Sequence, residues 1–336
     1  MKSASKLLEL FTAHWTSAIL ASGVEYEVFS RIEAGAVTVD TLAAETGLDG
    51  RSMQVLLDGL VAIEALSCAG GRYANTPTAS AHLVRGKPGY MGGFGRIVLG
   101  AGDGGMRQWS RLPEALRLGK PIAPETILDP ESPFWDELVT ALMPLSCEVA
   151  VIAAQRIGLG DGKPASILDV GGGAGAYAVT WLDLNPDATV TQIDWAPVNA
   201  LAIENVRARG TSARFVPVDG DFQTVSFGDA AHDVVVFSNI FHHESPGEIR
   251  ALLDRTHRAL KPGGRVVISE FMLHDDRNGP SFSARFGAGM VLQTPRGSNY
   301  RSADYLEWVQ ASGFVGPIVD RTHPLSTLVI AQKPAP

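Results

Sequence analysis

The sequence predicts an α/β protein: a domain built on a parallel sheet, preceded by a mainly helical amino-terminal region. Three observations carry this. From about residue 165, short apolar runs alternate with helical segments, as in strands joined by crossover helices. Before that point the apolar spacing is mostly helical. The 336 residues, 45% apolar and 19% charged, hold core material for two domains. The net charge of −8 argues against nucleic acid or an anionic membrane as the main partner. Cys68 and Cys147 lie far apart and read as reduced thiols of a cytoplasmic protein. Lys6, Glu9 and His14 interrupt the start where a signal peptide would be apolar. No uncharged apolar run reaches the ~18 residues of a membrane span, so none is expected.

The expected boundaries are 1–88, 89–160 and 161–336. In the first part, Leu7, Leu8, Phe11, Trp15 and Ile19 share a helical spacing. A short helix, a break at Gly47 and a second helix carrying Met53, Leu56, Leu57, Leu60 and Ile63 follow. A hairpin around Gly70-Gly71 closes the segment. That order is the winged-helix order, but residues 36–75 hold five acids and two bases. A recognition helix needs cationic phosphate contacts, so a structural or dimer-forming role is expected instead. Residues 89–105, with eight glycines, read as a flexible junction. Helices follow around 110–119 and 134–158. The strands expected next are SILDVGGG, TVTQIDW, RFVPVDGD, HDVVVFSN and RVVISEF, with helices between them and an antiparallel pair at the end.

The turn Asp169-Val170-Gly171-Gly172-Gly173-Ala174-Gly175 ends a strand and opens a helix, so the backbone can approach a ligand. No Lys or Arg lies in residues 165–185, and Asp169 there would repel phosphate but suit a cation. The second strand ends at Asp194, where an acid commonly accepts hydrogen bonds from ribose hydroxyls. The third ends in Asp219-Gly220-Asp221-Phe222, where a carboxylate beside an aromatic face suits an adenine. Ammonium, ribose and adenine without phosphate describe S-adenosylmethionine.

With these segments, and with LKPGGRVVISE, the chain resembles the class I S-adenosylmethionine-dependent small-molecule O-methyltransferases of the caffeate and acetylserotonin type, including bacterial natural-product tailoring enzymes. The resemblance covers nearly the whole chain. It implies a Rossmann-like methyltransferase domain behind a winged-helix dimerisation domain, hence a homodimer. It implies that Gly171 and Gly173 hold the methionine part, Asp194 the ribose, and Asp221 and Phe222 the adenine, with Ser238 nearby.

The fourth strand runs into Ser238-Asn239-Ile240-Phe241-His242-His243-Glu244. Methyl transfer to a hydroxyl needs the acceptor aligned and its proton removed. A phenol, with a pKa near 10, ionises little at pH 7, and a histidine near 6.5 can take the proton. The resemblance points to His242 as that base and to Glu270 as the group that orients it. It departs from the family at His243, where Asp is usual, and at Tyr300, where a second Glu would stand. Trp135, Met143, Phe286, Met290 and Tyr300 are candidate acceptor-pocket residues, since Met and aromatics suit a flat apolar molecule. No bound metal is expected, because adjacent side chains of an extended strand diverge. The alternatives are a C- or S-methyltransferase, metal-assisted through His242 and His243, and a winged-helix regulator that senses S-adenosylmethionine.

Overall fold

The computed structural model describes residues 3–100, 105–122, 129–160 and 162–335. The chain forms two compact units: Met1–Ser110 with Thr140–Pro144, and Arg111–Val139 with Leu145–Pro336.

The first unit is α1 (Ala4–Phe11), α2 (Ala13–Glu25), α3 (Val28–Glu33), α4 (Val39–Thr46), α5 (Gly50–Ala62), β1 (Leu66–Ala69), β2 (Arg72–Asn75), α6 (Pro77–His82), α7 (Gly93–Leu99) and α8 (Gly105–Ser110). The expected helix, helix, hairpin order is present. Thr38 caps α4 in a reciprocal capping box with Thr41, and Asp49 caps α5 through the Ser52 N–H. Gly70 and Gly71 both have positive φ, which a two-residue hairpin turn demands. Val28, Phe29, Leu42, Met53, Leu57 and Leu60 form the core.

Two features differ from expectation. The glycine-rich stretch is helical over Gly93–Leu99 and packs on α2, where a Cβ on Gly95 would come within 3.0 Å of Val24. Gly95 allows this close helix packing, and residues 101–104 of the expected junction lie outside the described residues. In the amino-terminal stripe, Ile19 joins the core, but Leu7, Leu8, Phe11 and Trp15 stand exposed, Phe11 by 79%.

The second unit opens with α9 (Leu112–Leu118) and α10 (Pro133–Ile157), whose Thr140–Pro144 stretch clusters with the first unit. The alternation then runs β3 (Ala165–Val170), α11 (Ala176–Leu184), β4 (Ala188–Asp194), α12 (Ala196–Ala208), β5 (Phe215–Asp219), β6 (His232–Ser238), α13 (Pro246–Ala259), β7 (Leu260–Glu270), α14 (Ser281–Gln293), α15 (Ser302–Ala311), β8 (Val315–Asp320) and β9 (Thr327–Gln332). The sheet order is β5-β4-β3-β6-β7-β9-β8, parallel except for β9, which is antiparallel to both neighbours. Chain direction across the sheet reverses between β3 and β6. Their carboxyl ends therefore open the crevice in which ligands of such sheets bind.

The most apolar 18-residue window of α10 has a mean hydropathy of 1.7, enough by length and composition to cross a membrane. Glu148 sits in it, and Val149, Ala150, Ala153 and Ala154 are buried. The Trp181 indole on α11 donates to the Ala150 carbonyl at 2.8 Å. This helix face is packed as core.

Candidate active site

The strand ends build two halves of a site. At β3, Asp169 is fully buried and both its carboxylate oxygens lack a hydrogen-bond partner. Burial, and then the charge of Asp194, push its pKa up to about 8. Gly171 and Gly173 follow with positive φ. A Cβ on Gly171 would also strike the Ile240 side chain at 2.3 Å, and one on Gly172 would strike Gln192 at 2.4 Å. The positive φ of Gly171 and Gly173 and the crowding at Gly172 favour glycine along this turn.

At β4, the Asp194 carboxylate accepts the Gly173 and Trp195 N–H groups, each at 2.8 Å. Burial raises its pKa to about 6, and these two bonds hold it from rising further. Gln192, fully buried on the same strand, donates to the Gly173 carbonyl and to the Asn199 side-chain oxygen. Asn199 donates in turn to Asp219 at 2.8 Å and to the Asp194 and Val218 carbonyls. This amide pair fixes the glycine loop and the ends of β4 and β5 together. Beyond β5, Asp221 is exposed and Phe222 packs partly on the domain core.

The second half forms where β6 and β7 end side by side, Ser238 paired with Ser269. Asn239 takes a positive φ and donates its N–H to the Ser269 carbonyl. The chain then folds into a 3-10 turn over Phe241–His243, ended by a capping box of Ser245 and Glu248 that starts α13. The turn drops His242 onto the last residue of β7: His242 Nδ1 lies 2.7 Å from Glu270 Oε2. Glu270 Oε1 accepts the Phe241 and His242 N–H groups at 2.7 and 3.3 Å. Both side chains are buried. A carboxylate partner places the histidine proton on Nδ1 and leaves Nε2 free to accept one.

His242 and His243 do not stand on an extended strand. The turn brings their rings to 4.3 Å centroid separation. Among the described residues, no three His, Cys, Asp or Glu side chains converge as a metal site.

Aromatic rings surround the histidine unevenly. Phe286 meets its ring edge-on at 4.9 Å and Phe271 lies at 6.4 Å, both touching Phe282. A second run of rings starts at His243, which touches Trp135 at 6.1 Å, and Trp135 touches Trp195 at 5.5 Å. Burial, and then His242, hold the His243 pKa well below its ordinary 6.5. Gly297 lets its loop pass over this turn: a Cβ there would lie 2.2 Å from the His242 carbonyl oxygen.

Of the five pocket residues expected from sequence, Phe286 contacts His242 directly and Trp135 reaches it through His243. Tyr300 does not. Its hydroxyl donates to the Glu244 carbonyl at 2.7 Å and its ring packs on Trp308 and Tyr305. Met290 is buried on α14, and Met143 lies in the α10 stretch that clusters with the first unit. Sequence reasoning missed Gln192, Asn199, Trp195, Phe271 and Phe282. A Gln inside an apolar strand was the one readable signal among these.

Residues 159–315 match the O-methyltransferase domain family, and residues 8–85 match the O-methyltransferase dimerisation domain. The chain is 33% identical over 323 residues to the 3-hydroxy-5-methyl-1-naphthoate 3-O-methyltransferase of Streptomyces sahachiroi, covering 91% of this chain and 88% of that one. It is 29% identical to the tetracenomycin polyketide synthesis 8-O-methyl transferase of Streptomyces glaucescens, covering 98% and 96%. Its fold matches human N-acetylserotonin methyltransferase, solved in complex with S-adenosylmethionine, with a TM-score of 0.84, 24% identity, and coverage of 100% of this chain and 99% of that one. The chain belongs to the O-methyltransferase family and is an S-adenosylmethionine-dependent methyltransferase.

Proposed function

We propose that the enzyme methylates a hydroxyl on a small, flat aromatic molecule of secondary metabolism, with His242 as general base. The observation that carries this is the His242–Glu270 pair among aromatic rings. The relatives named above act on a naphthoate and in polyketide synthesis, which supports an acceptor of that class.

S-adenosylmethionine supplies the methyl group on a sulfonium centre. The chain fits it. Asp169 offers two unpartnered oxygens beside the glycine turn, suited to an ammonium group. Asp194 has oxygens already aimed by two backbone N–H groups and can accept further bonds from ribose hydroxyls. Asp221 and Phe222 would hold the adenine, with Ser238 close by. On the acceptor side, His242 Nε2 takes the hydroxyl proton as the oxygen attacks, and Glu270 supports the imidazolium that forms. The phenyl rings exclude water and align a flat acceptor, and such alignment supplies about 7–11 kcal/mol in favourable cases.

In this reading the protein is a cytoplasmic homodimer. The exposed Leu7, Leu8, Phe11 and Trp15 stripe lies largely within the segment matching the dimerisation domain. The unpaired Cys68 and Cys147 suit a reducing compartment.

The test is methyl transfer from isotopically labelled S-adenosylmethionine to catechols, phenols, naphthols, hydroxyindoles, aromatic amines, 2-oxo acids and thioethers. Mass spectrometry locates the label, with and without chelator. Label on an aromatic oxygen, unaffected by chelator, is the expected result. Label confined to carbon, sulfur or nitrogen would overturn the O-methyl assignment.

A further inference from the structure

The two walls around His242 differ in polarity. Phe271, Phe282 and Phe286 carry no polar atom. The rings reached through His243 carry two that are buried and have no hydrogen-bond partner: His243 Nδ1 and the Trp135 indole Nε1. A buried donor left unmet is unfavourable, and native proteins leave few of them. Here both belong to neighbouring rings in one chain of contacts, Trp195–Trp135–His243–His242, with centroid steps of 5.5, 6.1 and 4.3 Å. The chain runs from the residue after Asp194 to the base itself, so it flanks the place where methyl donor and acceptor meet.

We infer that Trp135 and His243 form a recognition pair for a second oxygen on the acceptor, a carbonyl beside the hydroxyl that His242 deprotonates. This rests on the methyl-transfer reading above. Three points select a carbonyl. An indole nitrogen can only donate. His243 stays neutral at physiological pH, so the pair brings hydrogen bonds without net charge. A carbonyl accepts two such bonds through its lone pairs, the imidazole contributing when its proton sits on Nδ1. The rings then fix the acceptor's orientation: apolar edge to the Phe wall, carbonyl edge to the Trp–His wall, reacting hydroxyl at His242.

The test compares 2-acetyl-1-naphthol with 2-isopropyl-1-naphthol, which keeps the heavy-atom count and hydroxyl position but lacks the carbonyl oxygen. The wild-type enzyme is expected to favour the acetyl compound by at least about tenfold in kcat/KM, since a site built for a hydrogen bond rejects the analogue without it. His243→Phe and Trp135→Phe keep a ring in place and remove the polar atom. Each is expected to collapse that preference by about tenfold, while S-adenosylmethionine affinity, which reports an intact fold, stays within about threefold. Comparing preferences between enzymes cancels the intrinsic reactivity of the two naphthols. Equal use of both compounds by the wild type, or an unchanged preference in both variants, overturns the inference alone. Transfer to neither naphthol also overturns it, and overturns the methyl-transfer reading beneath it only if the wider acceptor panel is silent too.

Discussion

Glu270 and Asp169 are buried carboxylates at the carboxyl ends of strands in one sheet, and they are held in opposite ways. Glu270 accepts from two backbone N–H groups and from His242. Asp169 accepts from nothing, and burial drives its pKa to about 8. The difference separates two kinds of preparation. In the proposed reading, the acceptor half carries its polar partners with it, so His242 would be oriented before anything binds. On the same reading, the donor half stores an unmet carboxylate that a cationic ligand would satisfy.

The largest expected effect breaks the first kind. Glu270→Gln keeps the shape but can present an N–H to His242 Nδ1, which favours the wrong tautomer. Turnover should fall by about 10²–10⁴-fold with S-adenosylmethionine affinity within threefold, read from steady-state kinetics and calorimetric titration. A parallel loss of affinity would join the two halves that the comparison separates.

Asp169→Asn breaks the second kind. Cofactor affinity should fall by about 10–100-fold, the scale of a lost charge-assisted bond. The ligand-free protein should become more stable at pH 8, because a buried unpaired carboxylate is removed. Scanning calorimetry checks the sign, and a lower melting temperature would show that Asp169 has structural partners.

The pH dependence sharpens the same point. The folded pKa of Asp169, about 8, is raised above the ordinary 3.8. Its contribution to stability is therefore full below about pH 4, declines as pH rises, and levels off above about 8. Cofactor affinity should move the other way, rising by at most tenfold per unit from pH 6 to 8 as the carboxylate ionises. Above that the ligand's own ammonium, with an α-amino pKa near 8, begins to lose its proton. Asp169→Asn should flatten the rise, and a slope that survives the substitution assigns it to another group.

The smallest effect probes the scaffold. Gly172→Ala would press a methyl against the buried Gln192 amide and should destabilise the protein by about 1–3 kcal/mol in denaturant unfolding. No loss would show that Gln192 can move aside freely.

The residues of the proposed donor half could be picked out in the sequence because they are local. Asp169 through Gly175 are consecutive, and Asp194 and Asp221 mark the ends of the next two strands. The sheet was legible for a related reason, since strand and helix alternation is a pattern of neighbours. Of the proposed acceptor half, His242 and Glu270 were legible through resemblance, and Phe286 and Trp135 only as aromatic side chains suited to a flat molecule. Its rings come from α10, the loop after β7, and α14, and no local spacing announces that Phe271, Phe282 and Phe286 meet. Tyr300 was expected to face the acceptor because it is aromatic near the right motif. Its hydroxyl is engaged by the Glu244 carbonyl, a hydrogen bond that no pattern reveals. His243 was read as diverging from His242, and a single 3-10 turn reverses that.

The central claim is that His242 removes the acceptor proton while the donor half stands independently. The most direct measurement is the single-turnover methyl-transfer rate of His242→Ala on the best acceptor of the panel, with S-adenosylmethionine saturating and its affinity measured separately. The rate should fall by about 10²–10⁴-fold with affinity within threefold of wild type. A rate within a few fold of wild type, or an affinity loss as large as the rate loss, would contradict it.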